Sequence, residues 1–75
     1  MTLKKFASCC KICVELDIWL VLDSKTGVKM HLTDGVRLFA DDVAKCATKF
    51  TRMYGNYDVK SVDDVKGNVI RITIC

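Results

Sequence analysis

The stretch that decides the fold is VELDIWLVLD, residues 14–23. Its aliphatic positions alternate with the others, so that Leu16 and Ile18 share one face while Asp17 and Trp19 share the opposite one. A period of two residues is typical of a strand with one face on a core. We therefore predict a strand over residues 14–23, the clearest element in the chain.

The other elements follow from turn chemistry and apolar spacing on either side of this strand. Residues 23–27, DSKTG, have turn composition, so the alternation that resumes after them predicts a hairpin. Helical spacing predicts a short helix capped by Thr2 and a longer one ending at Gly55 in a left-handed cap. The predicted elements are helix 3–10, strands 14–23 and 28–33, helix 41–54, and strands 57–62 and 69–75.

This order of elements, α-β-β-α-β-β, predicts the fold class. Antiparallel strands with one apolar face need a cover, and two amphipathic helices are available to provide it. We predict one α+β domain over residues 1–75, a two-layer sandwich with a four-stranded antiparallel sheet and two helices on one face. A chain of this size buries only about 60% of its unfolded surface, so a dimer or a bound partner is expected to add stability.

Composition sets the broad class of the protein. The chain is 51% hydrophobic, contains no proline and carries a formal net charge of +3, which indicates a packed domain and only weakly favours nucleic acid. Residues 12–22 are apolar, but Glu15 and Asp17 interrupt them and a membrane span needs about 20 apolar residues. No secretion signal is recognisable. We predict a cytoplasmic protein that does not contact a membrane.

The five cysteines support a reducing compartment, because their number is odd and Cys9 and Cys10 are adjacent. We predict free thiols, with Cys10 and Cys46 at least partly buried and Cys13 a further candidate. Zinc is the alternative, since Cys10 and Cys13 have the spacing of zinc ligands. A tetrahedral site of that kind would be completed by Cys46, Cys75 or His31.

No motif for catalysis or cofactor binding is recognisable, and we predict no enzyme, no cofactor and, with free thiols, no metal site. His31 is the only histidine, and the pattern places it on the outer sheet face without an acidic or nucleophilic partner. The doublets Asp41-Asp42 and Asp63-Asp64 fit a helix start and a turn, which are common positions for Asp. The glycines form no phosphate-binding loop.

Two surfaces are candidates for binding. The outward positions of the strands hold Trp19, Lys29, His31 and Arg71, and Trp and Arg are enriched in interface hot spots. Trp19 could equally be a partly covered surface aromatic. The second candidate is a basic stripe on the long helix, formed by Lys45, Lys49 and Arg52, which could contact an acidic partner or a phosphate group.

Several segments together resemble a known layout. They are Thr2–Phe6, Leu22–Gly27, Val59–Val62 and Val69–Ile74. The chain resembles short, mostly uncharacterised proteins of bacteriophages and related mobile elements of Gram-positive bacteria. The resemblance implies no functional residues, but it implies a role in inhibiting a host factor or sequestering a signalling nucleotide.

We therefore expect a non-enzymatic binding protein, a phage-encoded inhibitor of a host defence or replication protein that acts in the host cytoplasm. Its partner would be that host protein or a second copy of the chain. The alternative is a protein that binds nucleic acid or a signalling nucleotide.

Overall fold

The chain folds into a four-stranded mixed sheet and three short helices, in a computed structural model that describes residues 1–75. None of the helices is long and apolar enough to cross a membrane. In chain order the elements are α1 Leu3–Ser8, β1 Glu15–Asp23, β2 Val28–His31, α2 Ala40–Ala44, α3 Lys49–Tyr54, β3 Val59–Lys66 and β4 Val69–Ile74.

The prediction of an antiparallel sheet is wrong. The strand order is β2-β1-β4-β3, and the two central strands, β1 and β4, are parallel. After β2 the chain pairs Phe39 with Glu15 at one end of the sheet, whereas Asp58 hydrogen-bonds Cys75 at the other end. The segment containing α2 and α3 returns the chain from the Glu15 end of the sheet to the Cys75 end. As a result, β3 runs in the same direction as β2, and β4 runs in the same direction as β1.

The core joins the inner positions of the two central strands to the helices. The alternation predicted for β1 is confirmed at Leu16 and Ile18, which are buried on the same side of the sheet as Ile72 and Ile74 of β4. They form one cluster with buried residues of α1, of α2 and of the segment before α2. Those other members of the cluster are Leu3, Ala7, Leu38, Ala40 and Val43.

The predicted helix over residues 41–54 is broken into α2 and α3. Cys46, between the two, has φ +52°, a left-handed conformation that a helix cannot continue through. Thr48 then caps α3, because its side chain accepts a hydrogen bond from the backbone N–H of Thr51 and the Thr51 side chain accepts one from that of Thr48. This reciprocal capping box begins a new helix.

Gly55 ends α3, but the prediction of a left-handed cap there is wrong, because its φ is −58°. A Cβ at this position would lie 2.8 Å from the carbonyl oxygen of Thr51, closer than real Cβ contacts. The position therefore needs glycine for close backbone approach.

The first helix agrees with the prediction, whereas in the second hairpin Asp63 and Asp64 lie within a strand and not at a turn. Thr2 caps α1 as predicted, since its side chain accepts a hydrogen bond from the backbone N–H of Lys5. The third strand is longer than predicted, and β3 continues to Lys66 before a turn at Gly67, whose φ is +61°.

Candidate functional site

The outer face is defined here as the side of the sheet opposite the core residues Leu16, Ile18, Ile72 and Ile74. Cross-strand pairing places Trp19 opposite His31, and Lys29 two pairs away in the same ladder, opposite Val21. On the other side of β1, Asp17 lies opposite Arg71. The structure thus brings Trp19, Lys29, His31 and Arg71, the four residues predicted from alternation, to the same face.

Trp19 and His31 stack face to face, with ring centroids 4.3 Å apart and an interplanar angle of 3°. A register shift between Val21 and Asp23 is what sets His31 opposite Trp19. Trp19 is half-buried, and its Nε1 is buried without a hydrogen-bond partner. A buried donor without a partner is rare in proteins and costs about 1–3 kcal/mol.

Asp17 is the centre of the polar contacts on this face. Its carboxylate accepts hydrogen bonds from Arg71 Nε at 3.0 Å and Thr33 Oγ1 at 3.1 Å, and it also bonds His31 Nε2. Burial raises the pKa of Asp17, but the hydrogen bonds from His31, Arg71 and Thr33 outweigh it, so the pKa lies below the ordinary value. The expectation that His31 has no acidic partner is therefore wrong.

The group formed by Asp17, His31 and Thr33 does not have the geometry of a catalytic relay. A relay uses the two imidazole nitrogens separately, one toward the nucleophile and one toward the carboxylate. Here Asp17 and Thr33 both contact Nε2, and Nδ1 faces Asp34 at 3.9 Å. Thr33 is only 6% exposed, and its Oγ1 accepts a hydrogen bond from the backbone N–H of Ile18. This geometry holds His31 and the end of β2 against β1.

A shallow cavity of about 290 Å³ crosses the outer face and is lined by one residue from each strand: Lys29, Trp19, Arg71 and Asp63. Asp63 accepts hydrogen bonds from Thr73 and from Ser61, and these bonds lower its pKa. Lys29 makes no ion pair. The cavity therefore offers an aromatic ring, one uncommitted ammonium group, and a guanidinium and a carboxylate that are already partly bonded.

The basic stripe predicted on the long helix is not one helical face. Lys45 follows α2 and pairs with Asp41 at 3.0 Å, whereas Lys49 and Arg52 belong to α3. All three basic side chains are exposed, but the break at Cys46 removes the regular spacing on which the stripe was predicted.

The five cysteines are free thiols in the structure. Cys10 and Cys46 are half-buried, as predicted, whereas Cys13 is exposed. The Cys10 thiol donates a hydrogen bond to the carbonyl of Phe6 at 3.4 Å, and burial, with a smaller effect of Cys9, raises its pKa. No group of three or more Cys, His, Asp or Glu side chains is arranged to hold a metal ion.

Comparison of the chain with protein-family models, with curated proteins and with solved structures gives no match. The outer face is therefore the main structural clue to function.

Proposed function

We propose that the chain is a non-enzymatic binding protein that contacts another protein through its outer face. The observation that supports this most is Trp19, whose half-buried ring lines a cavity formed by one residue from each of the four strands. Trp and Arg are the residue types enriched where interfaces concentrate their binding energy. Trp19 and Arg71 both line the cavity that crosses this face.

The face is a better candidate than the sheet edges. The edge strand β2 has only four residues, and the other edge strand, β3, carries two register shifts and several charged residues. Short strands, bulges and charges are the features that protect an edge from pairing with another chain. β4, the last strand of the chain, is a central strand and presents no free edge.

The partner in this proposal is a host defence or replication protein, and the chain is an inhibitor encoded by a phage or mobile element and acting in the host cytoplasm. This part is supported by the resemblance in layout and by the small size of the chain. Self-association through the same face is the second form of the proposal. Both forms place Trp19 in the contact.

The test replaces Trp19 and measures binding and folding separately. Trp19→Ala should keep the fold and weaken association by about 2 kcal/mol or more, the hot-spot scale. Trp19→Phe keeps a smaller ring beside His31, so it shows whether an aromatic ring at this position is enough for the contact. Tyr57→Ala is the control, because Tyr57 is an exposed aromatic that packs on Tyr54 and does not line the outer-face cavity.

Affinity capture from bacterial lysate and light scattering provide the binding measurements, and circular dichroism checks the fold. A stoichiometric complex with a host defence or replication protein, or a homodimer, that is lost in Trp19→Ala and kept in Tyr57→Ala supports the proposal. A wild-type chain that stays monomeric at high concentration and captures no stoichiometric partner contradicts it. So does a complex that Trp19→Ala leaves intact.

The alternative function is binding of nucleic acid or a signalling nucleotide, and the cavity containing Trp19, Lys29 and Arg71 favours it. Aromatic and basic groups on a sheet can stack on a base and contact a phosphate. The carboxylates of Asp17 and Asp63 on the same face oppose it. Electrostatic binding weakens steeply with added salt, so a titration of DNA, RNA and cyclic nucleotides at two salt concentrations decides this alternative.

A further inference from the structure

A second cavity, of about 320 Å³, lies between the connection after β2 and the helical segment that follows. Its volume is at the lower end of the range for small-molecule sites, about 300–1,000 Å³. Four of its eight lining residues are hydrophobic. The lining is Leu32, Thr33, Val36, Arg37, Leu38, Asp42, Thr48 and Phe50.

The apolar walls come from separate parts of the chain. Leu38 is 6% exposed and belongs to the core cluster, and the half-buried Leu32 and Phe50 pack against that cluster. Val36 is 62% exposed. The walls therefore range from buried to open, as expected for a cleft that a short apolar chain could enter from solvent.

The polar groups of the cavity differ in how far they are already bonded. Arg37 donates from Nε to Glu15 at 2.8 Å, and its guanidinium lies 5.4 Å from the ring centroid of Phe39. The hydroxyl of Thr33 bonds Asp17, and that of Thr48 caps α3. Each of these side chains has a partner within the protein.

Asp42 is the exception. It lies in the first turn of α2, and its carboxylate makes no hydrogen bond to the helix start and no ion pair. The preceding residue, Asp41, is paired with Lys45. Arg37 lines the same cavity with the opposite charge, but its Nε is paired with Glu15, so Asp42 is the one charged group of the lining without a partner in the protein.

We propose that this cavity binds a small organic amine, an ammonium group carried on a short apolar chain. The apolar chain would contact Leu32, Val36 and Phe50, and the ammonium group would donate hydrogen bonds to Asp42. A charge-assisted hydrogen bond to an unpaired carboxylate is stronger than one between neutral groups. The site is separate from the outer face, so it can be present or absent whatever the outcome for the proposed function.

The first test uses the full-length wild-type chain and three probes with the same carbon chain: pentylamine, 1-pentanol and pentanoate. Each is titrated at neutral pH into isotopically labelled protein, and amide chemical shifts are followed by NMR. Pentylamine should shift the amides of residues 32–38 and 48–50 and bind about tenfold more tightly than the alcohol, consistent with the added strength of a bond to a charged group. Pentanoate should bind more weakly than either.

The second test compares two neighbouring carboxylates of the same helix. Asp42→Asn should reduce pentylamine binding to the level of the alcohol, whereas Asp41→Asn, which removes a carboxylate that does not line the cavity, should leave it unchanged. Equal binding of amine and alcohol, tighter binding of pentanoate, loss of binding in both variants or no shift with any probe would overturn the proposal. The three-probe comparison needs no variant, so it holds even if a substitution disturbs α2.

Discussion

Asp17 organises the outer face at the scale of single residues, because three side chains from three segments meet its carboxylate. Arg71 reaches it from β4, His31 from β2 and Thr33 from the residues just after β2. Its side chain is 19% exposed, so these bonds replace much of the water that the charge loses on folding. The carboxylate therefore ties the edge of β2 and the central β4 to β1.

A stability measurement across pH tests this role. The pKa of Asp17 is lower in the folded chain than in the unfolded chain, where Asp titrates near pH 3.9. The unfolded state thus binds more protons in this range, and the contribution of Asp17 is fully present above about pH 4–5 and lost as pH falls through the lower folded pKa. Asp17→Asn should reduce the free energy of unfolding at pH 7 by about 1–3 kcal/mol, and the difference from wild type should shrink towards pH 3.

Urea unfolding of both proteins at pH 7 and pH 3 provides the comparison. Asp64→Asn is the control, because Asp64 lies opposite Arg71 on the neighbouring strand but is exposed and forms no ion pair. The control should differ little from wild type at either pH. If the free energy of unfolding of Asp17→Asn depended on pH as that of the wild type does, the Asp17 carboxylate would not stabilise the fold through its contacts.

The register explains why the sequence predicted the members of the outer face but not the role of Asp17. Alternation alone assigns Trp19, His31 and Arg71 to one side of their strands. Which side chains touch depends on the pairing between strands, and here a shift between Val21 and Asp23 sets it. Such a one-residue shift has no clear signal in the sequence, so the pattern places Asp17 on the face of Trp19 without showing which side chains it contacts.

At the scale of elements, the break between α2 and α3 shows two sequence signals in competition. Apolar residues continue at helical spacing from Val43 to Tyr54, and this pattern predicts one helix. Thr48 and Thr51 carry the opposite signal, a capping pair that begins a helix. The structure follows the caps, because Cys46 turns the chain out of the helical conformation before Thr48.

Cys46 can test whether backbone conformation controls this junction. Cys46→Val keeps an apolar side chain of similar size but places a β-branched residue at φ +52°, where it is more strained than cysteine, and should lower the free energy of unfolding by about 0.5–3 kcal/mol. Cys46→Gly loses the half-buried thiol but adopts this φ without strain, so it should be the more stable of the two variants. Thermal unfolding ranks them. A more stable valine variant would show that side-chain packing matters more here than the backbone.

For the whole molecule, the direction of the strands depends on the path of the connection between the hairpins. The period-two pattern predicts where strands lie and which side faces the core, but it is the same in either direction along the chain. Direction depends on whether the helices return the chain to the opposite end of the sheet. They do so here, between the pairing of Phe39 with Glu15 and that of Asp58 with Cys75.

This topology makes β4 the strand on which the fold depends most. β4 pairs with β1 on one side and with β3 on the other, and it joins residues 15–20 of β1 to residues 69–74. Such contacts between distant parts of the chain form only after a long loop has closed. A strand in this position should therefore tolerate little change at its buried residues.

Ile72 and Val62 form a matched pair for testing the central position of β4, because they lie opposite each other in the β3–β4 ladder. Ile72 is fully buried, whereas Val62 is 50% exposed. Ile72→Ala should reduce the free energy of unfolding by about 2–5 kcal/mol, the usual cost of truncating a core aliphatic side chain. Val62→Ala, on the edge strand, should cost about 1 kcal/mol or less, since less apolar surface is uncovered. Urea unfolding measures the free energy of unfolding of both variants. Equal losses in the two variants would contradict the central position of β4.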